Sequence, residues 1–157
     1  MENLSISETI KIIAILIASL GLFLNFWQLL QSNKLRRVEL VSKTLFLIFD
    51  DKDIANIFYK LEYDEFKYND NFHGSKDEKK VDKLLTALDI LGKQHNIGLI
   101  SLKDVETISY EILTVYHNKE LNKYLNFLDN WYKSKKLKKI PFNDFRQLAK
   151  KIETDLK

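Results

Sequence analysis

Cysteine is absent from the chain, so no disulfide can staple it and no thiolate can hold a metal. Glycine and proline are nearly absent too, at four and one in 157 residues. Sheet-rich folds turn tightly and often, and they consume both residue types. Their scarcity points to a few long helices. A dense basic footprint is also missing. The net charge of +3 is mild beside the concentrated positive stripes of dedicated nucleic-acid binders. Nucleic acid is therefore not expected to be a principal partner.

Catalytic signatures are equally thin. No phosphate-cradling glycine loop, nucleophile elbow or dinucleotide fingerprint occurs. Of the three histidines, His73, His95 and His117, none has a second His or a paired carboxylate on the same expected helix face. His95 and His117 fall near expected helix C-termini, where an imidazolium complements the helix dipole. Asp50, Asp51 and Asp53 form an acidic cluster that could hold a cation, although helix capping is the commoner use of such aspartates. No catalytic residue, metal ligand or cofactor is expected.

What the chain does have is a long apolar run. Ile12 to Leu24 reads IIAILIASLGLFL, without a charge and with Ser19 as its one polar side chain. Extended to Leu30, the run rises about 28 Å as a helix, close to the roughly 30 Å of a bilayer's hydrocarbon. Trp27 falls near its end, where an amphipathic ring suits the headgroup zone. A cleaved signal would need a basic start and a small-residue cleavage site. Glu2 and Glu8 precede this run and NFWQLLQSN follows it. A core helix would keep one charged face, and this segment has none. A single transmembrane helix over residues 12–30 is the expectation. Lys34, Arg36 and Arg37 follow it closely, and the positive-inside rule places that flank in the cytoplasm. Residues 1–11 are then a short extracytoplasmic N-terminus, in a bacterial inner membrane by the resemblance given below.

Within the run the small and polar residues share a register. Lys11, Ala14, Ala18, Gly21, Asn25, Gln28 and Ser32 recur at alternating spacings of three and four, which places them on one helix face. Small residues let helices approach closely in lipid, and amides facing lipid gain by turning to a partner helix. Ala14, Ala18, Gly21, Asn25, Gln28 and Ser32 are the candidate seam of a homo-oligomer or, at high subunit number, of a narrow pore.

Hydrophobic residues make up 45% of the chain and charged residues 30%, enough for a core under a wet surface. Residues 31–49 continue the helix past the membrane, with Leu35, Val38, Val41, Leu45 and Ile48 in helical spacing. Residues 50–157 form the cytoplasmic bundle. Asp50 or Asp51 caps a helix burying Ile54, Ile57, Phe58 and Leu61. Residues 62–75 read as a loop. Ser75 caps a helix to Asn96, with Val81, Leu84, Leu85, Leu88 and Leu91 inward, and Gly98 shapes the turn after it. Ser101, with Asp104 three residues on, caps a helix carrying Val105, Ile108, Ile112 and Val115. Asn118 caps another, with Leu121, Tyr124, Leu125, Leu128 and Trp131 inward. Pro141 opens the last helix, with Phe142, Phe145, Leu148 and Ile152 inward. The fold class is all-α: one N-terminal transmembrane helix continuing into a bundle of about five helices.

Between the last two helices lies a basic connector carrying Lys133, Lys135, Lys136, Lys138 and Lys139. It can be a solvated link, a contact for anionic lipid or a contact for a nucleic-acid backbone.

The stretch from Val81 to Trp131 resembles a family of bacterial single-pass membrane proteins with a small helical domain. The resemblance rests on Leu84, Leu85, Leu88, Asp89, Leu91, Gly98, Leu99, Ile100, Asn118, Leu121, Tyr124, Leu125 and Phe127. It implies the same anchored layout and carries no activity with it. The layout is more loosely similar to membrane-anchored accessory proteins of bacterial antiviral (CRISPR-type) systems, some of which hold a degraded HEPN-type bundle. The HEPN ribonuclease signature needs a His shortly after an Arg, and Arg36, Arg37 and Arg146 all lack one. Three functions stay open on this reading. One is a non-enzymatic, self-associating interaction module, which could present its bundle to a cytoplasmic protein. Another is an inner-membrane effector whose assembled spans perturb the bilayer. The third is an enzyme with a cryptic site in the bundle.

Overall fold

The computed structural model describes residues 6–69 and 71–155, with side chains described from residue 10 onward. Every regular element among them is helical. Helix α1 (Ile6–Asp50) is followed by α2 (Lys52–Glu62), α3 (Lys76–Asn96), the single turn α4 (Leu102–Val105) and a 3-10 turn (Glu106–Ile108). Then come α5 (Ser109–His117), α6 (Lys119–Ser134) and α7 (Asn143–Asp155). Two compact units divide within α1, at Arg36 and Arg37. The extreme N-terminus, residues 1–5, and the last two residues expected in the bundle lie outside the described residues.

The second unit is built around α3. It packs against α7 and α2, and α5 packs against the same two helices. Leu84, Leu85, Leu88 and Leu91 of α3 are fully buried. Each contributes roughly 1.5–3 kcal/mol relative to exposure, against the ~1 kcal/mol typical of a helix cap. Packing therefore decides that α3 forms, and capping decides where it starts. Ser75 Oγ accepts from Glu78 N at 3.0 Å, and Asp51 Oδ1 accepts from Asp53 N and Ile54 N to start α2. Ser101 and Asp104 form a complete capping box.

Three helices end in one way. At the ends of α2, α3 and α6 the chain turns through a left-handed residue, Asp64, Gly98 or Lys136. In each, two backbone amides reach back to otherwise orphaned carbonyls: for α6, Lys136 N to Lys133 O and Leu137 N to Tyr132 O, both at 3.0 Å.

Residues 63–75 form an irregular loop that also supplies core. Phe66 and Phe72 are buried, meet edge to face at 5.4 Å and seat Phe72 against Tyr124 at 4.9 Å. This aromatic pair joins the common core and packs the loop against α6.

The expected elements need four corrections. The helix after Ser101 is interrupted: Val105, Thr107 and Ile108 are β-branched, and Ser109 Oγ donates to the Glu106 carbonyl at 2.8 Å. Both features disfavour a regular α-helix. Pro141 is buried in a turn before α7 rather than inside its first turn, and Phe142 takes a left-handed conformation and is half-buried. Trp131 is exposed, because α6 runs past the edge of the core there. In the α1 continuation Val41 and Ile48 are buried and Leu40 and Leu45 pack beside them, but Leu35 and Val38 are exposed.

Candidate functional site

Three features carry chemistry beyond the core. The first is α1. From Ile10 it is long and apolar enough to cross a membrane, and none of its apolar window is buried. Lys11, Ala14, Ala18, Asn25, Gln28 and Ser32 are all exposed, and Gly21 is partly so. A β-carbon on Gly21 would meet no atom within 4 Å, so no contact among the described residues requires glycine there. The same three-four register runs on beyond Ser32 to Leu35, Glu39, Ser42, Phe46 and Phe49. Leu35 is 70% exposed and Phe46 62%. Glu39, the charge on this line, is paired with Lys43 one turn on at 2.7 Å. Phe49 sets its edge against Phe58 at 5.8 Å and lies beside the exposed Tyr59, whose ring stacks on that of Tyr63. The continuation of the register to Phe46 and Phe49 is readable from spacing, whereas their exposure is set by packing.

The second feature is a polar cluster that sequence reasoning missed. His73, in the loop, bonds Glu78 Oε1 through Nδ1 at 3.0 Å and the Tyr68 hydroxyl through Nε2 at 2.9 Å. Its ring lies against Phe127 at 4.1 Å. Gly74 N donates to the other Glu78 oxygen at 2.5 Å. The Tyr124 hydroxyl donates to Asp82 at 2.7 Å and approaches Glu78 at 3.4 Å. Burial works against the Glu78 charge, yet the Gly74, His73 and Tyr124 hydrogen bonds outweigh it and hold the carboxyl below its ordinary value. Asp82 goes the other way: burial raises it and the Glu78 charge adds, against the Tyr124 hydrogen bond. Burial and the two carboxylates push Tyr124 far above the usual phenol range. Both His73 nitrogens are engaged and Tyr124 is held protonated, so the cluster is a latch from the loop to α3 and α6. The one signal for it was the Ser75–Glu78 capping pattern, which places Glu78 within reach of the turn.

The remaining candidates resolve into structure. Asp51 caps α2 and pairs with Lys83, and Asp53 lies 3.5 Å from Lys80. Among the described residues no three His, Asp or Glu side chains gather around a metal-sized point. His95 Nδ1 meets the Ile100 carbonyl at 3.2 Å, and His117 lies 3.7 Å from Glu153. Arg146 grips Asp129 with two nitrogens, at 2.7 and 3.0 Å, tying α7 to α6. Arg37 lies 3.6 Å from Asp104.

The third feature is the connector from α6 to α7. Lys133, Lys135, Lys136, Lys138 and Lys139 are all exposed, and no ion pair engages any of them among the described residues. Lys135 Nζ sits 5.9 Å over the Trp131 ring. Lys139 also lines a shallow cleft with Tyr132, Ile90 and Phe142. The structure thus brings the five lysines together on one segment. The six seam residues share one helix face and meet no partner among the described residues.

No protein-family model, curated protein or solved structure matches this chain.

Proposed function

We propose that the chain is a membrane-anchored, self-associating helical interaction module whose bundle faces the cytoplasm. One observation carries the reading. A register of small and polar residues on α1, from Ala14 to Ser32, is exposed, with Gly21 partly so, and meets no partner among the described residues. An apolar segment that carries two amides, Asn25 and Gln28, gains by pairing them across a helix interface, at about 0.6–2 kcal/mol each. Repetition in every subunit multiplies that gain. Lys34, Arg36 and Arg37 after the apolar run support the cytoplasmic orientation.

Mass photometry of the detergent-extracted full chain tests the proposal. Wild-type protein should run as a discrete oligomer, and a Gly21→Ile, Asn25→Leu, Gln28→Leu variant as a monomer. A monomeric wild type, or a variant that assembles as well, would overturn it. Cells that depolarise on expression, and recover with Asn25→Leu and Gln28→Leu, would replace the passive module with a conducting assembly.

A further inference from the structure

We propose that the α6–α7 connector, Trp131 to Ile140, is a docking surface for an anionic lipid bilayer. Between Asn130 and Asn143 the chain carries five lysines and no acidic residue. The acids nearest in sequence are already committed, Asp129 to Arg146 and Asp144 to Asn96 at 2.7 Å, and Asp89, which lines a cleft with Lys139, accepts from Phe145 N at 3.0 Å. The other lysine-rich surface, on α3, is a useful contrast. There Lys80 and Lys83 are interleaved with Asp51, Asp53 and Asp77, and the charges largely cancel.

Charge alone would suit any polyanion. The apolar side chains on the same segment select the bilayer. Trp131 is 45% exposed, Leu137 49% and Ile140 51%. A nucleic-acid backbone offers nothing to Leu137 or Ile140, and Lys135 lies over one face of the Trp131 ring. A membrane interface takes all of them: indole at headgroup level, lysines on the anionic surface, aliphatic tips below. The segment is also held in shape. The left-handed Lys136 closes α6, and the buried Pro141 with the left-handed Phe142 opens the way to α7. The connector therefore leaves α6 and approaches α7 through defined turns, with Lys138 and Lys139 exposed between them. The inference is independent of self-association, because it needs only this segment.

The chain has two tryptophans, so a full-length Trp27→Phe protein reports on Trp131 alone. It is placed in vesicles of phosphatidylcholine, with or without an equal part of phosphatidylglycerol, in which some acyl chains are brominated. Bromine should quench Trp131 with phosphatidylglycerol and not without it. High salt, or Lys135→Glu with Lys138→Glu and Lys139→Glu, should abolish the quenching while circular dichroism stays unchanged. Each charge lost should weaken docking roughly fivefold. Equal quenching in both vesicles, or none in either, overturns the proposal. So does a Trp131 response to single-stranded RNA with none to phosphatidylglycerol. Flotation with phosphatidylcholine alone reads the membrane anchor separately. A chain that floats only with phosphatidylglycerol supports docking and overturns the anchor.

Discussion

A β-carbon on Gly92 would overlap the backbone carbonyl of Asp144, where the start of α7 lies directly on α3. Phe145 N donates to Asp89 Oδ1 at 3.0 Å at the same crossing, so a carboxylate on α3 caps α7. Asn96 holds Asp144 and Gln147 from the next turn. The approach that forbids a methyl group at Gly92 is what brings Asp89 within reach of an amide on another helix.

Gly92→Ala should therefore destabilise the bundle by about 3 kcal/mol, the upper range for overpacking a rigid site. Thermal unfolding followed by circular dichroism should show a midpoint lower by roughly 10 °C. Gly21→Ala is the matched control. It meets nothing within 4 Å, so the midpoint of the bundle should not fall. Helix propensity favours alanine at both sites by about 1 kcal/mol, so a Gly92→Ala midpoint that does not fall would show that the α3–α7 approach yields to the methyl group.

Asn118 is the one buried polar side chain in the described core. Its oxygen accepts from Leu121 N at 3.0 Å to start α6, and its amide donates to the Leu61 carbonyl at 2.9 Å at the end of α2. Asn118→Ala should lose both bonds and about 2–3 kcal/mol. Asn118→Ser keeps a capping oxygen and should recover roughly half. Denaturant unfolding of the three proteins measures it, and a Ser variant no better than Ala would place all the energy in the Leu61 bond.

How far the sequence disclosed this architecture depends on whether the deciding contact is local. Asp51, Ser75, Ser101 and Asn118 were legible as caps because each bonds an amide two or three residues ahead. The stripes of α2 and α3 were legible because helical spacing reports burial directly. The Asp89 cap, the Gly92 crossing and the Tyr124–Asp82 bond join residues 42 to 56 positions apart, and no local pattern marks them. Trp131 was misjudged because spacing shows a face but not where the core ends. At the candidate surfaces, the five lysines and the seam were visible as patterns. The exposed Leu137 and Ile140, and the run of the seam into Phe46 and Phe49, needed the burial that only packing reveals.

Lys136 occupies a left-handed position with φ of 56°, a conformation that costs an L-residue roughly 1 kcal/mol and glycine nothing. Lys136→Gly should therefore stabilise the domain by up to about 1 kcal/mol while removing one connector charge. Gly98→Ala, at φ 76°, should cost about the same. Melting midpoints of the two variants should move in opposite directions. Reversed signs, a fall for Lys136→Gly and a rise for Gly98→Ala, would mean that unfolded-chain entropy, not the left-handed turn, dominates.

The Asp82–Tyr124 bond gives the domain a pH signature of defined sign. Burial raises the Asp82 carboxyl above its ordinary value, and the Glu78 charge adds to that. The folded protein thus holds this proton more tightly than the unfolded chain does. The stability it contributes is fully present below the unfolded value, about 3.9, and is lost as pH rises through the raised folded value. Asparagine imitates the protonated acid, keeps an oxygen for the Tyr124 hydroxyl and cannot ionise. Asp82→Asn should therefore match the wild type in urea unfolding near pH 3 and exceed it near pH 7. Glu78, held low in the fold, contributes with the opposite sign, losing its stability as pH falls, but it is present in both proteins and its own share largely cancels in the comparison. A difference that stays constant between the two pH values would mean that Asp82 does not feel the burial that its place between α3 and α6 imposes.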